Sequence, residues 1–207
     1  MNDINHLCQR LPALEVCRDS IRQATELLIE AFSGGSKLLL CGNGGSAADC
    51  EHIAGELIKR FSASRPLPSE LANRLGTELA QNLHGGLPAL SLPSMIGFHT
   101  AFANDDDPAF AFAQQVIAFG KPGDILLAIS TSGNSQNLVH AVTTAKAIGL
   151  KTIALTGESG GKLAPLCDLT IQAPASDTPR VQEFHLPIYH SICTVVDRKS
   201  TRLNSSH

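Results

Sequence analysis

Several things are missing from this 207-residue chain, and each absence removes a class of function. There is no run of Lys or Arg and the formal net charge is −3, so nothing electrostatic draws the chain to nucleic acid. No apolar stretch approaches the ~20 residues that span a bilayer. The N-terminus, MNDINHLCQRL, has no basic segment followed by an apolar one and does not read as a secretory leader. The six cysteines (Cys8, Cys17, Cys41, Cys50, Cys167 and Cys193) include no C-x-x-C pair, which predicts buried, reduced thiols. Neither G-x-G-x-x-G nor a G-K-[ST] P-loop occurs, so dinucleotide and P-loop sites are not expected. These absences predict a soluble, cytoplasmic protein with neither nucleic-acid nor membrane partners.

What is present is ordinary in bulk (43% hydrophobic, 17% charged), enough for one domain with a real core. Apolar spacing predicts a helix over 12–33, ended by Gly34-Gly35, then a buried strand over 37–41. A helix follows from Ser46 to about Phe61. Residues 62–88 are irregular, with a modest helix in SELANRLGTELAQNL. Strands are expected at 89–92, 124–129, 151–156 and 168–173, and helices around 94–103, 108–119, 135–148 and, briefly, 160–165. A last helix starts near Thr178-Pro179, with Thr as cap and Pro in the first turn. Strands alternating with helices, each strand apolar on both faces, give a doubly wound α/β fold with about five parallel strands. The tail at 198–207 is polar and aperiodic, and reads as a non-native or disordered appendage.

Two strand-to-helix turns carry the chemistry. In GNGGS (42–46) glycines let the backbone approach a ligand, and Ser46 opens a helix whose free N–H groups favour an anion. In STSGNS (130–135) hydroxyls recur at Ser130, Thr131, Ser132 and Ser135. One such turn is unremarkable; two in a small domain point to a phosphate pocket beyond the carboxyl ends of the strands.

His52 and Glu56, one helical turn apart, share a face. Gln182, His185 and His190 form a second polar set on the last helix. Gln182 and His190 are about 80° apart around it by the 3.6-residue period. An imidazole and a carboxylate can move a proton between adjacent sugar carbons. Two imidazoles with oxygen ligands can also hold a zinc ion.

These segments resemble the sugar isomerase (SIS) fold and, within it, the phosphoheptose isomerases, over roughly residues 10–197. The resemblance rests on CGNGGSAADCEHIAGEL, AND at 103–105, ISTSGNS, ALTGESGGKLA and TPRVQEFHLPIYH. It implies a single SIS domain at 35–197, a flavodoxin-like sandwich, with residues 1–34 packing on the core and the oligomer. It implies that sedoheptulose 7-phosphate is isomerised to D-glycero-D-manno-heptose 7-phosphate for surface polysaccharide. Asn43, Gly44, Gly45, Ser46, Asn104, Asp105, Ser130, Thr131, Ser132, Ser135, Glu56 and Gln182 would contact substrate. Glu56 and His190 would be the acid–base pair, and His52, Glu56, Gln182 and His190 would hold zinc. The family's homotetramers share sites between subunits.

The chain departs from that pattern in a longer 66–88 segment, in Pro187 between Gln182 and His190, where a kink is expected, and in its tail. A rival reading is a non-catalytic SIS protein of the DnaA initiator-associating type, which keeps the phosphate turns but tends to lose the glutamate on the first helix of the unit. A third, an amino-sugar phosphate isomerase or etherase, usually has two SIS units or a longer chain.

Overall fold

The computed structural model describes residues 2–203. Among them five parallel strands form one sheet: β1 (Leu38–Gly42), β2 (Ala89–Ser91), β3 (Ile125–Ser130), β4 (Lys151–Thr156) and β5 (Leu169–Gln172). Their order is β2-β1-β3-β4-β5, every neighbouring pair parallel. β1 and β3 are buried along their whole length. Both sheet faces are covered, so no solvent side imposes a polar alternation, and the strands read as unbroken apolar runs. Successive side chains still take opposite faces. Leu38, Leu40, Ile125 and Leu127 enter one core, and Leu39, Cys41, Leu126 and Ala128 the other.

The first core is shared with α1 (Asn2–Arg10), α2 (Arg18–Ser33), α3 (Gly45–Ile58) and α9 (Thr178–Leu203). The second is closed by α7 (Ala111–Phe119) and α8 (Gln136–Ala147). The helix after β1 therefore covers one face and the helix after β3 the other. Strand order reverses at β1 and β3, which leaves a crevice beyond their carboxyl ends. No helix among the described residues is long and apolar enough to cross a membrane. All six cysteines are free thiols, and all but Cys167 are fully buried.

Boundaries differ from the sequence expectations where backbone chemistry intervenes. Residues 12–33 are not one helix: Pro12–Cys17 is a 3₁₀ segment whose Leu14 and Cys17 are buried, and only then does α2 begin. The modest helix of the 66–88 segment is split into α4 (Ser69–Leu75) and α5 (Thr77–Asn82) by Gly76 at φ 79. No helix forms at 160–165, because Gly160 and Gly161 both take positive φ (67 and 53). The cap of α9 is Asp177, whose Oδ1 accepts from Arg180 N at 3.2 Å, rather than Thr178. Pro187 lies inside α9 without ending it. The tail is not wholly separate from the fold: α9 continues to Leu203, and Arg198 pairs with Asp3 at 2.8 Å. Residues 204–207 lie outside the described part.

The 62–88 segment is tied down at its base. Asp197 Oδ2 on α9 accepts from the backbone N–H of Ser62 and Ala63, each at 2.6 Å. Arg65, 1% exposed, lies 3.2 Å from Asp197 Oδ1 and donates to the carbonyls of Leu57 and Lys59 at the end of α3. Truncating one partner of a buried ion pair strands the other charge. Arg65→Met is therefore expected to cost roughly 3 kcal/mol in urea unfolding, and a loss near zero would refute this.

Burial pushes His185 down to about 4, against the hydrogen bond of its Nε2 to Thr156 O at 3.2 Å. The unfolded chain then holds that proton more tightly. Stability is full above about pH 6.5 and falls as pH drops toward 4, by up to roughly 3 kcal/mol. His185→Gln, which keeps an N–H donor, should flatten this arm of the stability–pH curve; an unchanged slope would assign it to other groups.

Candidate active site

The two glycine- and serine-rich turns face each other beyond β1 and β3. After β1 the chain turns at Gly44 (φ 55, ψ −121), a conformation that L side chains resist, and enters α3. At Gly45 a Cβ would lie 2.5 Å from Gln182 Nε2, so the missing side chain is what lets α9 bring Gln182 against the start of α3. After β3, Gly133 N donates to Ser130 Oγ at 3.1 Å and Ser132 Oγ accepts from Asn134 N at 3.2 Å. The turns are joined by a reciprocal amide pair, Asn43 with Asn137, at 3.1 and 2.9 Å.

Between them opens a cleft of about 310 Å³, lined by Asn43, Gly44, Gly45, Ser46, Ile129, Ser130, Thr131, Ser132, Ser135, Thr178 and Gln182. Two hydroxyl pairs in it are long, Ser130–Ser135 at 3.4 Å and Thr131–Thr178 at 3.3 Å, so these groups can turn toward a ligand at small cost. The N-termini of α3 and α8 both meet the cleft. Oriented hydroxyls with two helix N-termini constitute a site for a phosphoryl group.

A second cluster lies where α3 packs on α9. His52 Nε2 is 3.3 Å from Glu56 Oε1 and 3.3 Å from His190 Nε2. Glu56 is buried, and its Oε2 lies 3.4 Å from Lys59 Nζ without a hydrogen bond. Tyr189 Oη lies 3.0 Å from His52 Nδ1 and donates to Asp49 Oδ1 at 3.1 Å. Burial, then the neighbouring His52, holds His190 below its ordinary value, with Glu56 pulling the other way. Burial raises the Asp49 carboxyl despite Tyr189 and His52, and burial followed by Asp49 raises the Tyr189 phenol.

Of the expected site residues, then, the phosphate set meets in one cleft, and His52, Glu56 and His190 meet in one cluster. Gln182 joins the cleft wall. Asn104 and Asp105 do not line the cleft of their own chain; both are exposed at the end of α6 (Ile96–Asp105), bonded to each other at 2.8 Å. Sequence reasoning missed Asn137, Thr178, Asp49 and Tyr189. Asp49 was within reach, three residues before His52 on the same helical face. Tyr189 was not, since its role exists only through the packing of α9.

Zinc takes nitrogen and oxygen donors at about 2.0–2.1 Å, which sets neighbouring ligands of a tetrahedron roughly 3.3 Å apart. Both contacts of His52 Nε2 match such an edge, and the other carboxylate oxygen, Glu56 Oε2, is paired with Lys59 Nζ at 3.4 Å. Among the described residues no three His, Cys, Asp or Glu side chains close around one point as a finished metal site. The donor types are those zinc takes, and two of the donor pairs stand at its edge spacing.

The SIS domain family matches residues 1–157. The chain is similar to the phosphoheptose isomerase of Aliarcobacter butzleri, with 39% identity over 186 residues, 90% of this chain and 88% of that one. It is 40% identical to that of Coxiella burnetii over 198 residues, 94% and 90% of the two chains. Among solved structures, the phosphoheptose isomerase of Neisseria gonorrhoeae superposes with a TM-score of 0.76 at 32% identity, covering 95% and 94%. That of Francisella tularensis gives 0.78 at 31%, covering 91% of each.

Two glycines separate function from stability. In Gly45→Ala the flexible Gln182 can swing away, so catalysis should fall while the melting temperature changes by a few degrees at most. In Gly133→Ala the new Cβ would lie 2.1 Å from Gly160 O at a φ of 67, a backbone clash with nowhere to relax. It should cost more than about 2 kcal/mol. Calorimetry of both variants checks the contrast, and equal stability losses would contradict it.

Proposed function

The chain belongs to the SIS-domain family, within it to the phosphoheptose isomerases, and we propose from this that it interconverts sedoheptulose 7-phosphate and D-glycero-D-manno-heptose 7-phosphate through an enediol. The observation that carries the reading is the contact of both Glu56 and His190 with one imidazole, His52, two turns along α3 from the hydroxyl-lined cleft. Ser46 to His52 is six residues, about 9 Å of helix rise. That is comparable to the span of an extended heptose between its C2 and its phosphorus.

Ser130, Thr131, Ser132 and Ser135, with the N–H groups opening α3 and α8, hold the phosphoryl group and fix the sugar's far end. Glu56 takes a proton from C1 of the open-chain ketose while the oxygen at C2 gains one, giving the cis-enediol. The aldose forms when a proton returns to C2 and the hydroxyl at C1 loses its own. His190, whose pKa burial lowers, moves the oxygen-borne protons. Each well-placed acid or base is worth ~10²–10⁴ in rate. Zinc, held by His52, Glu56 and His190, would supply a Lewis acid that polarises the carbonyl, while Gln182 stands in the cleft wall beside Gly45.

The wider setting we propose is a cytoplasmic homotetramer with shared sites, supplying heptose for lipopolysaccharide. Supporting the sharing, Asn104 and Asp105 stand outside this chain's own cleft, on α6, none of whose side chains is buried although Ile96 and several others are apolar. The presence of Glu56, buried and in reach of His52, favours an enzyme over a sugar-phosphate-binding protein of the initiator-associating type.

Glu56→Gln should lower turnover of sedoheptulose 7-phosphate at least ~10²-fold while calorimetry still detects binding of the sugar phosphate. Near-normal turnover in that variant would remove Glu56 as the base.

A further inference from the structure

We propose that Tyr189 and Asp49 are positioning residues that lock the His52 ring in one tautomer, with its proton on Nδ1 and its Nε2 lone pair turned toward Glu56 and His190. The argument is a count of protons. Tyr189 Oη has one hydrogen and two neighbours, Asp49 Oδ1 at 3.1 Å and His52 Nδ1 at 3.0 Å. The phenolic hydrogen is donated to Asp49 Oδ1, an oxygen that accepts it. The oxygen then offers a lone pair to His52 Nδ1, which must be the N–H donor. A neutral imidazole with its hydrogen on Nδ1 has an unprotonated Nε2.

The geometry leaves little freedom for the opposite arrangement. Tyr189 is 2% exposed and belongs to the first core together with Ile188, Ile192 and Cys193, which leaves the hydroxyl little path to solvent. The His52 ring meets the Tyr189 ring edge-on, with centroids 5.4 Å apart. Asp49 and His52 sit three apart on α3, and the hydroxyl arrives from α9 to bridge them. The result is a carboxylate–hydroxyl–imidazole relay, in which a tyrosine extends the usual carboxylate–histidine arrangement that orients metal-binding imidazoles. An Nε2 lone pair 3.3 Å from Glu56 Oε1 and His190 Nε2 suits a proton or a metal held between them.

The inference deepens the reading of this cluster as a metal and proton-transfer site and rests on that reading for its metal and kinetic arms; the tautomer itself can be read without either. The test uses the full-length protein, stripped of metal with a chelator, with histidine ring nitrogens labelled with ¹⁵N and the His52 signals assigned by their loss in His52→Gln. Long-range proton–nitrogen NMR is expected to show His52 protonated at Nδ1 alone. Tyr189→Phe keeps the ring and removes the hydroxyl, and should release a population protonated at Nε2. Asp49→Leu frees the phenolic hydrogen to turn to Nδ1 and should convert His52 to the Nε2–H tautomer. Asp49→Asn still offers an acceptor oxygen and should restore the wild-type pattern.

Zinc affinity, measured by competition with a chromophoric chelator, should fall about 10- to 100-fold in Tyr189→Phe and Asp49→Leu and stay near wild type in Asp49→Asn. Turnover should follow kcat, with KM for the sugar phosphate little changed, because the hydroxyl cleft is untouched. An Nε2–H tautomer in the wild-type protein overturns the proposal, as does a tautomer indifferent to both Tyr189→Phe and Asp49→Leu. If the tautomer responds as stated but the wild-type protein binds no zinc, the positioning role stands and the metal reading of the cluster falls. Should Tyr189→Phe not fold, the contrast between Asp49→Leu and Asp49→Asn decides the matter alone.

Discussion

The seam between α3 and α9 is the constraint on which the rest depends. α3 leaves β1 early in the chain and α9 closes the described part of it, yet Ile53 and Leu57 on one and Ile188, Ile192 and Cys193 on the other are buried in the same core. Burying five such side chains is worth several kcal/mol in transfer free energy. It also fixes the helices in register, so that polar groups at the seam meet at hydrogen-bond distance. His52, Glu56, His190, Tyr189 and Asp49 all lie on this line. At its far end Arg65 and Asp197 form a buried pair that joins the end of α3 to the last turns of α9. Apolar burial supplies the energy and the buried polar groups set the alignment.

The phosphate end of the site comes from a different source, the topology of the sheet. With the order β2-β1-β3-β4-β5, the connections after β1 and β3 depart to opposite faces and must part at the carboxyl edge. A crevice there is unavoidable, and the chain lines it with small, polar residues. Glycine at 133 is required by the Gly160 backbone and its own positive φ, whereas glycine at 45 makes room for the Gln182 amide. The Asn43–Asn137 pair then clips the two turns together. Cleft and cluster share α3, whose N-terminus opens on the cleft and which carries His52 and Glu56 further along. One helix thereby sets the distance between the hydroxyl-lined cleft and the His52–Glu56 cluster.

Much of this was legible in the chain itself. β3 and β4 were bounded to within a residue because strands buried on both faces cannot hide among polar alternation. The serine turns were legible because phosphate recognition needs hydroxyls and glycine at fixed points of a strand–helix turn. What escaped was set by long-range contact or by local glycine geometry. The cap of α9 is Asp177, a competition between adjacent capping residues that only backbone geometry settles. The helix foreseen at 160–165 fails because consecutive glycines are pinned in positive φ by the packing of the neighbouring turn. α9 continues through 198–203, where Arg198 meets Asp3 near the other end of the chain.

By itself the sequence determined the alternation of strand and helix, the parallel class of sheet, the two glycine- and serine-rich turns and the pairing of His52 with Glu56. All of these follow from periodicity and residue chemistry within about twenty positions. Only the tertiary structure decided that His190 would stand 3.3 Å from His52, that Gln182 would instead be pressed against Gly45, and that Tyr189 would bridge Asp49 and His52. The physical reason is that these contacts join segments some 140 positions apart. Local propensity is blind to such distances, and they are closed only by the shared burial of two helices on one face of a sheet.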